Sequence, residues 1–307
     1  MPNLLARLWN SPHIVLVLAT LMWAGHTIAA RLSVGEISPM MLMVMRWIAC
    51  LVILVVLYRK KLVLQLPAVR QRLGWVWAMG GIGMAGFTIF FIFAAQHTTA
   101  VNLGITQSAI PALVMLIGLV VLHVRVGLIQ VVGMLLSLIG VVVLVSGGSL
   151  AVLRALEFNI GDLMMLVACL CYAGYTVGLS RRMEMSPVLM LTFFSFFASL
   201  TLIGCVFIEY WRNELIVPGL FGIAIVLYCA IFPSMLAQIF FMRGVELAGA
   251  NRAGLYVNLV PVFAAIMAVL FLAETMYFYH LASLGMVLGG IYLAERHKSA
   301  TKTAKTD

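Results

Sequence analysis

Long apolar runs broken by short polar stretches dominate this chain. The runs fall at residues 13–32, 38–58, 75–96, 100–121, 127–147, 160–180, 187–208, 218–241, 250–272 and 279–294. Each is close to the ~20 residues that cross a bilayer core as a helix. No water reaches backbone groups at that depth, so spans of this kind are helices. The interruptions carry charge and turn residues, as in SVGEISP, RKKLVLQLPAVRQRLG, HVRVG, GGSLAVLRALEFN, SRRMEMSP and FIEYWRNELIVPG. Ten spans put both ends on one side. Fifteen of the nineteen Lys and Arg residues then lie on the side of the termini, and only Arg31, Arg154 and Arg212 lie opposite. Basic residues gather on the cytoplasmic side of short loops, so both termini are expected there. Arg46 is the one remaining cation, and it falls inside a span.

The two halves of the pattern repeat. WAGHT at 23–27 returns as YAGYT at 172–176, and Ser38-Pro39 returns as Ser186-Pro187. Ala100, Gly104 and Pro111 match Ala250, Gly254 and Pro261, and Gly133-Met134 matches Gly285-Met286. The four offsets stay between 148 and 152 residues, which argues for duplication. Five spans per copy is an odd number, so the second copy enters the membrane upside down. The expected fold is an all-α integral membrane protein of ten transmembrane helices in two inverted five-helix repeats. Residues 1–147 form the first repeat, 148–159 a linker, 160–296 the second repeat and 297–307 a basic cytoplasmic tail. Such symmetry lets two halves exchange inward and outward shapes. It also argues against reading the first span as a discarded signal, since it has an internal mate.

Composition agrees. The chain is 64% apolar and 9% charged, with mean hydropathy +1.14, whereas a soluble domain is about half apolar and a quarter charged. The net charge of +9 sits in short loops rather than in a patch, so nucleic acid is not expected as a partner. Cys50, Cys169, Cys171, Cys205 and Cys229 all lie inside apolar runs without metal-ligand spacing and read as packing residues. No metal or cofactor is expected. Phosphate-loop and nucleophile-elbow motifs are absent, and the only aspartates are Asp162 and Asp307, so neither serine, zinc nor aspartyl chemistry has its residues. The expectation is a carrier, not an enzyme.

Several of these features together resemble the EamA-type members of the drug/metabolite transporter superfamily, over about residues 12–296. They are Trp23-Ala24-Gly25 in span 1, Arg46 after Pro39 in span 2, the mid-span Pro111 and Pro261, and Glu274 in FLAET. Ala24 departs from the pattern, where a second glycine is commoner. Within the superfamily the chain looks most like the YddG-type amino-acid exporters. The resemblance implies a bacterial inner-membrane protein with a cavity lined by spans 1, 3, 4, 6, 8 and 9, moving small metabolites outward. The lipid bilayer and a small-molecule substrate are the partners implied; no obligate protein partner is.

The candidate site residues follow from chemistry and symmetry. Arg46 is a charge within a span, costing at least about 2.5–3.5 kcal/mol unless it faces a cavity or partner. It suits either a substrate carboxylate or a structural pairing with carbonyls or with Glu36, Asp162 or Glu274. Trp23 and His26 share a helix face, and their repeat mates are Tyr172 and Tyr175. These four are candidate cavity residues, suited to an aromatic or apolar amino-acid side chain. Gln107 and Ser108 precede Pro111, and Tyr256 and Asn258 precede Pro261, with Ser108 and Asn258 as symmetry mates. Gln238 and Ser234 in span 8 are further candidates. Pro39, Pro111, Pro187 and Pro261 are candidate kink or gating points, because a helical proline frees a carbonyl. The run FTIFFIF at 87–93 and the methionines are expected mainly in packing. No acid lies near a span centre, so uncoupled or gradient-driven transport is expected. Quaternary-ammonium efflux calls for an intramembrane acid, which is missing.

Overall fold

The computed structural model describes residues 4–272 and 275–296; Glu274 and the 297–307 tail lie outside the described residues. A short helix, Leu4–Trp9, precedes ten long ones: α1 Pro12–Leu32, α2 Pro39–Gln71, α3 Leu73–Ala95, α4 Ala100–Leu122, α5 Leu128–Val145, α6 Ile160–Gly178, α7 Pro187–Trp211, α8 Leu220–Ala248, α9 Ala250–Phe271 and α10 Phe278–Arg296. Nine of these are long and apolar enough to cross a bilayer. The tenth, α10, is diluted by His280, Glu295 and three glycines, and it packs along α5. No strand occurs among the described residues.

Local sequence explains most helix starts. Ser38 and Ser186 are extended, and Pro39 and Pro187 follow at the first helical position, where the missing N–H costs nothing. These two prolines therefore open helices rather than kink them. Thr99 caps α4 by accepting the Asn102 N–H at 3.2 Å. Asn159 and Asp162 form a reciprocal capping box on α6. Gly249, at φ +84°, turns the chain sharply between α8 and α9.

One boundary departs strongly from the sequence expectation. Span 2 does not stop at residue 58, and RKKLVLQLPAVRQ continues it as helix to Gln71, through Pro67. The 33-residue α2 is about 50 Å long at 1.5 Å per residue, so it overshoots the hydrocarbon by several turns. Leu62 and Val69 are buried while the basic residues stay outside. The segment is helical although its charges read as a loop, and Val63, Leu64 and Leu66 are exposed beside the basic residues. A smaller departure is a helical turn, Leu150–Arg154, in the connection between repeats.

The packing follows the repeat. Helix α1 lies on α8 and α9, and its mate α6 lies on α3 and α4. Helices α2 and α7, mates of each other, pair directly, as do α5 and α10. Gly133 of α5 and Gly290 of α10 bring the two backbones so close that neither site has room for a Cβ. Irregularities are also paired. A π-helical segment interrupts α3 at Ala78–Gly86 and α8 at Ala230–Leu236. Helix α4 breaks into Ala100–Gln107 and Ile110–Leu122, and α9 breaks into Ala250–Tyr256 and Leu259–Leu272. The exterior is aliphatic, with Val56, Leu116, Val120 and Leu220 exposed, whereas Arg46, Asp162, Glu209, Gln238 and Asn258 are buried. That inversion is what a lipid solvent selects.

Candidate functional site

An aromatic cluster fills the centre of the bundle. The Trp23 ring on α1 meets Tyr172 on α6 edge-on at 5.9 Å and Phe241 on α8 at 5.1 Å. Tyr172 also meets Phe87 on α3 at 5.3 Å, Tyr175 at 5.7 Å and Phe241 at 5.9 Å. Trp23 and Tyr172, the repeat mates, thus touch across the pseudo-twofold axis. Two polar tips are spoken for: the Trp23 indole N–H donates to the Pro233 carbonyl at 3.1 Å, and the Tyr175 hydroxyl donates to Gln238 Oε1 at 2.9 Å. The buried Tyr172 hydroxyl has no hydrogen-bond partner among the described residues. A buried phenol left this way calls for a ligand group or a water.

Arg46 is joined to this cluster through α8. It is 8% exposed, and its Nη1 donates to Ser234 Oγ at 3.1 Å. Ser234 follows Pro233 in the π segment of α8, so one turn of irregular helix touches both Trp23 and Arg46. The guanidinium carbon stands 5.1 Å from the Trp47 ring centroid, and Nε has no hydrogen-bond partner among the described residues. His26 does not join the ring cluster. Its Nδ1 lies 3.4 Å from Cys229 Sγ, and Cys50 Sγ lies 3.7 Å from Ser195 Oγ. Of the carboxylates considered as partners of Arg46, Glu36 and Asp162 do not serve. No described carboxylate lies within 4.0 Å of it, and Asp162 is engaged elsewhere. Glu274 lies outside the described residues.

The α4 and α9 breaks face each other. Gly104, Gln107 and Ser108 from one, and Val257, Asn258 and Pro261 from the other, line a pocket of about 20 Å³, the size of one water. Pro111 and Pro261 stand in the first turn of the second half-helices, so they restart helices after a break rather than bend continuous ones. The Val257 carbonyl, which Pro261 cannot serve, accepts from Val260 N–H at 3.0 Å. Ser108 donates to the Ile105 carbonyl at 2.6 Å, and Asn258 donates to Ser137 Oγ at 3.0 Å.

Tyr256 belongs to a different group. Its hydroxyl donates to Glu295 Oε1 at 2.6 Å and lies 2.6 Å from His13 Nδ1, which itself stands 3.2 Å from Glu295. This ties α1 to α9 and α10 at the face that carries the described ends. At the opposite face, Asp162 of α6 accepts from Thr98 Oγ1 at 2.7 Å and from Asn102 Nδ2 at 3.0 Å. The Asn159 side chain also donates to Thr98, at 3.0 Å. Position 13 is the repeat mate of 162, so the two latches occupy equivalent places at opposite mouths, each joining one repeat to the other. Sequence reasoning missed both as a pair, although the 149-residue offset that relates WAGHT to YAGYT superposes His13 on Asp162. It also missed Glu209, a buried carboxylate at the end of α7. Glu209 accepts from Ser38 Oγ at 2.6 Å and from the backbone N–H of Met40 and Met41 at 2.7 and 3.2 Å, capping α2 across the repeat boundary.

Comparison with known proteins agrees with this architecture. A 26% identical protein over 244 residues, described as the uncharacterized transporter YyaM of Bacillus subtilis (strain 168), covers 78% of this chain and 79% of its own length. An uncharacterized transporter of Archaeoglobus fulgidus is 28% identical over 298 residues, covering 94% and 99%. A crystal structure superposes with TM-score 0.77 at 18% identity, covering 92% of this chain and 96% of that one, which supports the fold. The EamA-like transporter family matches twice, over residues 10–146 and 159–295, once per repeat. The chain is a multi-pass membrane transporter and belongs to the EamA-like transporter family.

Proposed function

We propose that the protein exports amino acids, aromatic and other neutral ones, and related small metabolites across a bacterial inner membrane by alternating access. The observation that carries this reading is Arg46: a buried cation without a described carboxylate in reach, joined through Ser234 to the turn of α8 whose Pro233 carbonyl holds Trp23 of the aromatic cluster. A guanidinium fork matches a carboxylate, and the rings offer faces and edges to an apolar side chain. Repeats 1–147 and 160–296 rock about this centre, with 148–159 as the linker between them. The termini are cytoplasmic, as the distribution of Lys and Arg supports. The His13–Tyr256–Glu295 latch then closes the cytoplasmic mouth and the Asp162 latch the periplasmic one. Release of one while the other holds exposes the centre to one side at a time. The export is uncoupled or driven by the substrate's own gradient.

Proton-coupled export of another small metabolite or drug is the second reading. The observation favouring it is the titratable chain of His13, Tyr256 and Glu295 at one mouth, with His26 deeper in. Counterflow of a panel of labelled amino acids in proteoliposomes, comparing the wild type with Arg46→Ala and His26→Ala, tests the proposal. Saturable exchange of at least one neutral amino acid, lost in Arg46→Ala, is expected. Exchange of none refutes the assignment, and normal exchange by both variants refutes the site.

A further inference from the structure

The charge balance of the interior goes further than the amino-acid reading. The chain has ten carboxylates, and eight are on described residues. Glu36, Glu157, Glu184 and Glu214 lie in connections outside the long helices. Asp162 and Glu209 are spent on neutral donors at the ends of α6 and α7. Glu246 pairs with Arg182 and Arg243 at 2.7 and 2.8 Å, and Glu295 is held by Tyr256 and His13. None of the eight reaches the central cluster. The groups that do meet Arg46 are the Ser234 hydroxyl and the Trp47 ring, both uncharged. Around Arg46 the described residues therefore present one fixed cation, with Nε still unused, and no carboxylate within 4.0 Å.

A zwitterion brings a carboxylate and an ammonium into such a place. Its carboxylate gains a charge-assisted pairing with Arg46, but its ammonium meets a like charge and no carboxylate. A monoanion gains the first term without the second cost, since a desolvated charge without a partner is expensive.

We infer that the Arg46 site is built for apolar monocarboxylates, small acids with an aromatic or aliphatic body and no ammonium group. In this assignment the carboxylate sits on the free edge of the Arg46 guanidinium and the body lies against Trp23, Phe87, Tyr172 and Phe241. Ser234 is a positioning residue, since its hydroxyl fixes the rotation of the guanidinium. The inference rests on the same site as the proposed function but names a different preferred ligand class.

The test uses three probes that share a phenylethyl body: 3-phenylpropionate, L-phenylalanine and phenethylamine. Each competes against labelled 3-phenylpropionate for full-length protein in lipid nanodiscs, so that binding is read without transport. One charge-assisted pairing is worth a factor of about ten or more. The wild type should bind 3-phenylpropionate at least about tenfold tighter than phenethylamine, with L-phenylalanine between them. Arg46→Gln should remove that discrimination, and Arg46→Lys should keep part of it. Ser234→Ala should lower 3-phenylpropionate affinity without restoring phenethylamine. Where Arg46→Gln does not fold, the ranking of the three probes on the wild type decides the matter. The inference is overturned if phenethylamine binds as tightly as 3-phenylpropionate, if 3-phenylpropionate shows no saturable binding, or if folded Arg46→Gln keeps the wild-type ranking. Strong 3-phenylpropionate binding without any amino-acid counterflow removes the amino-acid reading and leaves this one standing.

Discussion

Cutting one latch should open one mouth only. Asp162 accepts two hydrogen bonds from the other repeat, Thr98 Oγ1 at 2.7 Å and Asn102 Nδ2 at 3.0 Å, while its bond from the Asn159 backbone, at 2.9 Å, is local to α6. A hydrogen bond to a charged group nets about 1.5–3 kcal/mol. The two that cross the repeat boundary together hold that mouth by about 3 kcal/mol or more, on the order of a hundredfold in a closed-to-open ratio. Asp162→Ala removes both. Hydrogen exchange in nanodiscs reads the result, because amides near an opened mouth exchange in proportion to the open population. Exchange should rise by up to about a hundredfold across residues 94–104 and 157–163, with 10–16 unchanged or slower. Glu295→Ala, which removes the acceptor of Tyr256, should do the reverse. Equal acceleration at both mouths would show that Asp162 supports the whole fold, and no change at either would show that it holds nothing; both outcomes refute the latch.

Other consequences can be checked separately. Glu209→Ala leaves Ser38 and the first amides of α2 without their acceptor and should cost about 2–4 kcal/mol, seen as a lower melting temperature in detergent with counterflow retained at low temperature. Gly133→Leu or Gly290→Leu drives a side chain into the facing backbone of the α5–α10 pair and should abolish folded protein on size-exclusion, whereas Gly285→Ala, where a Cβ meets nothing, should be tolerated. Substrate flux in proteoliposomes should not change with an imposed pH gradient, and a strong rise would favour proton coupling through His13, His26 or Glu295.

Much of the fold is readable from the chain because lipid imposes a simple code. Apolar runs near 20 residues, the ladder of Lys and Arg, and the WAGHT–YAGYT offset are enough to place ten helices and pair the halves. The extension of α2 is not readable in the same way. Arg59, Lys60 and Lys61 look like a loop, but they are exposed on a helix that continues and buries Leu62 and Val69. At the site, the aromatic mates Trp23 and Tyr172 do meet, because symmetry places both on helices facing the axis. Tyr256 does not join them; its hydroxyl is held by Glu295 and stands beside His13 at the face that carries the described ends. The role of Pro233 escapes sequence reasoning for a related reason. Its carbonyl accepts the Trp23 N–H from within the π segment of α8, a pairing between residues 210 positions apart that no local pattern reveals.

The most direct test of alternating access is a reversible lock on one mouth. In Asn102→Cys/Asp162→Cys the two positions already face each other across the repeats. Labelled L-phenylalanine counterflow should run in the reduced protein, stop on oxidation, and return on reduction. Undiminished exchange by the fully oxidised protein would contradict the account, because substrate would then cross without that mouth opening.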